Sequence, residues 1–479
     1  MKRALFLLLI CQLVIFCWSN DFYVARSENL VFYFPSSVKD DIADYLDISE
    51  EIFREKAVFF NQEKTSPVIV YIDDAIDSRR GEADPFKVNI NMNFFFDPKQ
   101  FTSFETLFAH EMIHILNFRS ARKGLSAFDY YLKLGFIPLW VYEGFSEYFS
   151  RGDDPFFLYE SKKFPFYTSN EMNIFYSRDP YDRAGGYSQS YHMLRSLYKK
   201  YDKRLLSLWQ DISRSGNIKR YMKENLEPFS SFFEDFKKDL FKPPIKDKDI
   251  NIITSGIDIS GFRIKTGKSY YLDYYDNNRS KKALYKGNKR REFVVKDLHS
   301  FCIDDKGVIY FSRLVKKTGN IARYHIFKHV KNKTIKTNMR GIYPDIEGNL
   351  LTTSDGHGNI LLYDINRPDR PIKRFKGFFS KIKDKTLYFF NTSESYLSRF
   401  FIDNDKVPTR LITYDKTGFD IIFIAGKPYI DIYENGKFFL KSENADEKIE
   451  YPGGNDIFYH NQRLYFRMLS PGSSSVVCK

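Results

Sequence analysis

Cysteine is scarce in this chain: four among 479 residues, and two of them, Cys11 and Cys17, fall within the first twenty. Cys302 and Cys478 are the two that remain, enough for one disulfide and equally compatible with two buried free thiols. Long apolar runs are missing after residue 18, so no later segment is suited to spanning a bilayer. The mature chain is therefore expected to be soluble or only peripherally attached. A long basic block is missing too. The formal charge is +13, but the lysines are interspersed with acidic residues. That pattern describes a solvated surface, or one drawn to an anionic envelope surface, and argues against nucleic-acid binding.

What is present begins with a targeting segment. Lys2 and Arg3 form a basic start, and Ala4 to Trp18 is uncharged and apolar over 15 residues, short for a spanning helix and suited to a secretory signal. Cleavage after Ser19 leaves Cys17 and Ser19 as the small residues that a signal peptidase requires. Acylation at Cys17 is a weaker alternative because Phe16 is bulky, and a retained anchor is another. Export to the periplasm, the cell envelope or the medium is the expectation.

A length of 479 residues exceeds one ordinary core. With 43% hydrophobic and 28% charged residues the chain is globular, and 18% aromatics favour β-structure in part of it. Leu30 to Pro35, Val68 to Ile72 and Val88 to Phe96 read as strands. Ile42 to Phe53 has helical spacing, and so do Asp202 to Ile212 and Ser230 to Leu240. This is an α+β opening. Pro243-Pro244, followed by alternating charges from Lys246 to Asp249, reads as a linker. Beyond it short aromatic strands recur. Tyr271, Tyr310, Leu351, Tyr388, Tyr429 and Tyr465 stand 39, 41, 37, 41 and 36 residues apart. A repeat near forty residues predicts a β-propeller of about six blades; a pair of β-sandwiches is the alternative. The expected division is a signal at 1–20, an N-terminal domain at 21–242, a linker at 243–250 and a propeller at 251–479.

The chemistry concentrates in His110-Glu111-Met112-Ile113-His114. On a helix, residues i and i+4 share a face, so both imidazoles reach one ion, and Glu111 is placed to take a proton from a metal-bound water. Thr102 followed by Glu105 reads as a capping box for that helix. The third ligand of a metzincin is excluded, since Asn117 and Ser120 stand where Gly and His would be needed. Downstream, Pro138 opens a second helical stretch in which Glu143 and Glu147 share a face. Two carboxylates on an aromatic helix are costly to bury without a cation.

The pair of motifs, His-Glu-x-x-His followed by Trp140, Glu143, Gly144, Glu147 and Tyr148, resembles the gluzincin or peptidase MA-like family. The resemblance covers about residues 25 to 240 and implies a zincin-like metallopeptidase domain. It further implies Zn2+ held by His110, His114 and Glu143, with Glu111 as general base. Glu147, one turn on, is either a carboxylate that orients a ligating histidine or a structural one. Gly186 to Tyr191, ahead of a helical run with Leu194 and Leu197, is similar to the segment that supplies an oxyanion-binding tyrosine in the aminopeptidase branch. Tyr187 aligns best, Ser190 replaces a family glycine, and Tyr191 and His192 are rivals. Val88 to Asn93 resembles the edge strand that holds extended peptide. No Gly-x-Met-Glu-Asn-like element is present, so an aminopeptidase mode has no support. The strand rhythm after residue 250 resembles TolB-type propellers.

The expected activity is zinc-dependent hydrolysis of peptide bonds in peptide or protein substrates, with the propeller open to a protein partner. The alternative is a non-catalytic envelope protein that acts through the propeller. A disulfide between Cys302 and Cys478 is expected to close the ring, because Val476-Val477-Cys478 suits a closing strand.

Overall fold

The computed structural model describes residues 22–478 except 63–65, 79, 85–86, 88, 98–102, 123–136, 169–174, 176, 178, 203–204, 206–217, 241–250, 277–278, 280, 288–290, 317–320, 392–394, 405, 416, 445–446, 454–455 and 471–472. The expected signal and linker, and most of the helical stretch from Asp202 to Ile212, lie outside the described residues. Asp202 itself caps the preceding helix with φ at 48°.

The N-terminal part is a five-stranded sheet with helices packed on it. The strands are β1 (Phe22–Arg26), β2 (Leu30–Pro35), β3 (Val68–Asp73), β4 (Gly81–Asp84) and β5 (Asn89–Asn93), in the order β1-β2-β3-β5-β4. The three central strands run parallel, and the two edge strands are antiparallel to their neighbours. In β2, Leu30, Phe32 and Phe34 alternate into the core, as a half-buried strand requires. The helices are α1 (Ile42–Phe59), α2 (Phe104–Arg122), α3 (Leu139–Arg151), α4 (Pro155–Glu160), α5 (Pro180–Tyr201), α6 (Ile218–Asn225) and α7 (Phe229–Leu240). One core joins Phe32, Phe108, Phe145 and Tyr191, all fully buried. Among the described residues no helix is long and apolar enough to cross a membrane.

Three expectations change here. The strand expected at Val88–Phe96 is β5, and it is not the sheet edge: it lies between β3 and β4. The edge is β4, whose Gly-Glu-Ala-Asp sequence has neither alternation nor β-branched residues to announce it. Thr102 lies outside the described residues, and the side chain seen capping α2 is that of Ser103, whose Oγ accepts from the Thr106 amide at 3.1 Å. The third change concerns α5, which starts at Pro180 and not near Gly186; Asp179 caps it by accepting from the Tyr181 amide at 2.9 Å.

From residue 251 the chain forms six separate four-stranded antiparallel sheets, a six-bladed β-propeller. The blades span residues 260–296, 300–340, 342–376, 378–413, 417–451 and 458–478. Each of the six aromatic or leucine markers lies on the second strand of its blade. A pair of sandwiches is excluded by this pairing. The ring closes without a covalent bond: the strand Asn251–Gly256 joins the last blade by pairing with Ser473–Cys478, with Asn251 opposite Cys478. Both cysteines are free and buried, in different clusters, Cys302 with Val308 and Met339, Cys478 with Ile259 and Tyr271. The expected disulfide is therefore not formed. A backbone ladder already removes the open sheet edge that the disulfide was meant to secure.

The two parts dock closely. Ile76 forms a parallel bridge with Ala322. The Phe96 amide donates to the Gly356 carbonyl at 2.8 Å. Asp97 meets His299 Nε2 at 2.8 Å and the Tyr343 hydroxyl at 2.5 Å. On another side Arg467 pairs with Glu160 and Asp258, and the Tyr159 hydroxyl donates to the Arg467 carbonyl at 2.9 Å.

Candidate metal centre

Helix α2 carries His110, Glu111 and His114, and α3 carries Glu143 and Glu147. The helices cross closely because Phe108, Phe118, Tyr142 and Phe145 supply a shared apolar seam. Gly144 lets α5 approach α3: a Cβ there would lie 2.5 Å from Leu194 Cδ2 and 2.7 Å from the Ser190 carbonyl. The sequence thus places small and aromatic residues where the backbones need them, and leaves polar side chains on one face.

That face brings three donor atoms together. His110 Nε2 and His114 Nε2 lie 3.2 Å apart, and Glu143 Oε2 lies 3.2 Å from the first and 3.5 Å from the second. Three ligands at about 2.0–2.1 Å from a tetrahedral ion would be separated by roughly 3.3 Å. Two imidazole nitrogens and a carboxylate oxygen pointed at one spot form a donor set that could hold one cation. Among the described residues this is the one group of His, Cys, Asp and Glu side chains with metal-holding geometry.

The charges of these side chains are coupled. Burial opposes charge on both Glu143 and His110. The two histidines nevertheless hold the Glu143 carboxyl far below the usual range, and Glu143, Glu147 and Glu111 together raise His110 above its ordinary value. Behind His110, Glu147 Oε1 lies 3.5 Å from Nδ1, while its other oxygen accepts from Arg151 Nε at 2.6 Å. Arg151 is itself stacked on Phe157, 4.4 Å from the ring centre. This chain of contacts reaches His110 from the side away from the donor cluster. Glu147 is 3% exposed, so its carboxylate is a buried partner and not a surface charge.

Glu111 is 5% exposed and lies against Gly81 of the edge strand; a Cβ on Gly81 would come within 2.9 Å of its Cδ. Tyr187 sits on α5 with its ring 6.5 Å from that of His110, edge-on to Phe175. The rivals point elsewhere: the Tyr191 hydroxyl donates to the Gly152 carbonyl at 2.6 Å. His192 contacts Ser161 Oγ, and burial pushes its pKa down to about 3. His110, Glu111 and Tyr187 face a cavity of about 1290 Å³ whose opposite wall is the propeller, with His299, Tyr324, Tyr343 and Phe379 among its lining. Of these, Gly81, Arg151 and the propeller wall were not found from the sequence. The i,i+4 spacing of Glu147 and Arg151 on one helix was a signal available for the second of them.

No protein-family model matches the chain, and no curated protein matches it. Among solved structures it is similar to the β-propeller domain of the trilobed protease from Pyrococcus furiosus, at 12% identity, over 47% of this chain and 83% of that one, with a TM-score of 0.33. It is similar to a chain of the nidogen/laminin complex at 12% identity, 43% and 83% coverage and a TM-score of 0.30. The tricorn protease gives 8% identity, 43% and 24% coverage and a TM-score of 0.32. At such scores the six-bladed assignment rests on the strand pairing itself. By fold this is a six-bladed β-propeller protein with an α+β body docked ahead of it.

Proposed function

We propose that the protein is a zinc metallopeptidase of the gluzincin type that cleaves peptides outside the cytoplasm. The observation that carries this is the convergence of His110, His114 and Glu143 on one point, with Glu111 beside them at the wall of a large cavity. A structural metal site has no use for the adjacent carboxylate of Glu111.

His110, His114 and Glu143 would hold the ion, which when bound supplies a lowered water pKa and a Lewis acid. Glu111 takes the proton of the attacking water and returns it to the leaving amine. The Tyr187 hydroxyl donates to the developing oxyanion. Strand β4, as an antiparallel edge beside α2, offers backbone groups for an extended peptide. A cavity of about 1290 Å³ exceeds the roughly 300–1,000 Å³ of small-molecule sites. With the propeller docked over it, it suits flexible peptides better than folded proteins. The apolar segment behind Lys2 and Arg3 supports export, and so a periplasmic, envelope or extracellular site of action.

The test is Glu111→Gln. It should abolish hydrolysis of a peptide library, a loss of about 10²–10⁴-fold, while bound zinc measured by mass spectrometry stays stoichiometric. Full activity in the variant would remove Glu111 from the mechanism. Wild-type protein that binds no metal and cleaves nothing would leave a non-catalytic, propeller-based role.

A further inference from the structure

A second cleft lies far along the chain from the donor cluster, between the second and third blades. Its volume is about 530 Å³. One wall is the outer strand of the second blade, Lys333–Arg340, whose alternation sends Lys336, Asn338 and Arg340 to one side. The other wall belongs to the third blade. There Leu361 and Arg374 are cross-strand partners, and Arg370 stands in the turn that joins their strands.

The cleft is held by contacts between the blades. The Arg340 amide donates to the Tyr363 hydroxyl at 3.3 Å, and Asn338 Nδ2 donates to Asp369 Oδ1 at 2.7 Å. The floor is formed by His325 and Tyr363, 5% and 3% exposed. Burial raises the Tyr363 pKa, and the charges of Arg340 and Arg374 both pull it back, so two guanidinium groups act on one hydroxyl.

The charge there is one-sided. Lys336, Arg340, Arg370 and Arg374 line the cleft against a single carboxylate, Asp369, which Asn338 already engages. Among the described residues none of the four cations makes an ion pair. Elsewhere on this surface lysine and arginine are commonly paired, as in Lys437–Glu450 at 2.8 Å and Lys385–Asp403 at 2.8 Å. Four like charges around one concavity repel one another, and an anion placed among them relieves that repulsion. Three of the four are arginines, whose planar donor fork matches phosphate oxygens in pairs. The volume falls in the range of small-molecule sites and is more than a bare ion needs.

We propose that this cleft binds a phosphate ester, gripped by Arg340, Arg370, Arg374 and Lys336. The phosphate belongs either to a soluble compound or to a lipid headgroup presented at a membrane surface.

Two arms separate the sources. Calorimetric titration of the full mature chain with glycerol 3-phosphate and inorganic phosphate reads the soluble source. Co-sedimentation with phosphatidylglycerol vesicles, against phosphatidylcholine vesicles as control, reads the lipid. Saturable binding in either arm is expected, weakening as salt rises. Arg340→Ala and Arg374→Ala should each reduce affinity by about 10–100-fold, the usual worth of a charge-assisted hydrogen bond. Lys268→Ala removes an equal charge from an exposed hairpin of the first blade and should change affinity less than about twofold. Thermal melts of each variant confirm folding, and Arg374→Lys, which keeps charge and loses the fork, should fall between wild type and alanine. Absence of binding in both arms, or an equal loss in Lys268→Ala, overturns the proposal.

Discussion

His110 has a carboxylate on each side of its ring, Glu143 at Nε2 and Glu147 at Nδ1. The two acids therefore make different predictions. On the proposed zinc site, Glu143→Ala removes a donor atom and should release zinc and abolish activity. Glu147→Ala leaves all three donors and removes the group that orients one of them, so zinc affinity should fall by about 10–100-fold while some metal stays bound. Competition against a chelator of known affinity measures both, and the reverse ranking would assign the ligand to the wrong turn of α3. The donor pair on α2 was legible in the sequence because two histidines four residues apart need nothing but a helix to meet. The role of Glu147 was open there, because its burial and its contact with Arg151 depend on how α3 packs.

At the scale of elements, what was readable had a period. Strand β2 alternates, the propeller repeats near forty residues, and each marker falls on the second strand of a blade. What was not readable is short or aperiodic. Strand β4 consists of Gly81, Glu82, Ala83 and Asp84, and only its pairing with β5 makes it a strand. The start of α5 carried a usable signal, Asp179-Pro180, outweighed by Gly185 and Gly186, which lower helix propensity without breaking the helix in its packed context. Those small residues matter where elements touch. Gly81→Val would push a side chain into Glu111, so turnover should fall by about 100-fold, as for a misplaced catalytic group, with zinc content unchanged. Gly144→Ala, by contrast, acts on packing: its Cβ meets Leu194 and the Ser190 carbonyl, and it should cost about 1–3 kcal/mol in urea denaturation. Loss of metal in Gly81→Val at wild-type turnover per bound ion would contradict this account of β4.

At the scale of the whole molecule the docking of the two parts was invisible in the sequence, because much of it rests on single residues far apart in the chain. Asp74, Asp77 and Asp97 reach His357, Arg323, Tyr324 and His299, some 200 to 280 residues away. The ring of His357 stacks on Phe94 at 5.5 Å and its Nε2 lies 3.0 Å from Asp74 Oδ1. Burial disfavours its charge, yet the Asp74 carboxylate prevails and raises its pKa above the ordinary value. Burial likewise works against ionised Asp74, and His357 and Arg323 lower it all the same. The signs then follow. A histidine raised in the folded state stabilises fully below its unfolded pKa of about 6.5, and that contribution is lost as pH rises through the raised value. A carboxyl lowered in the folded state stabilises above its unfolded value of about 3.9 and fails as pH falls through the lowered one. Asp77 is raised by burial, which adds a further loss as pH rises through its raised value. Docking should thus be firmest in mildly acidic solution and weaken above neutrality. Thermal melts from about pH 5 to 9 check this: the wild-type midpoint should decline on the alkaline side, and in His357→Gln that decline should be flattened, with the two proteins closest in stability at the highest pH. An alkaline decline of the same size in His357→Gln would move its origin to another group, and a larger gap between the proteins at high pH than at low pH would reverse the assigned sign.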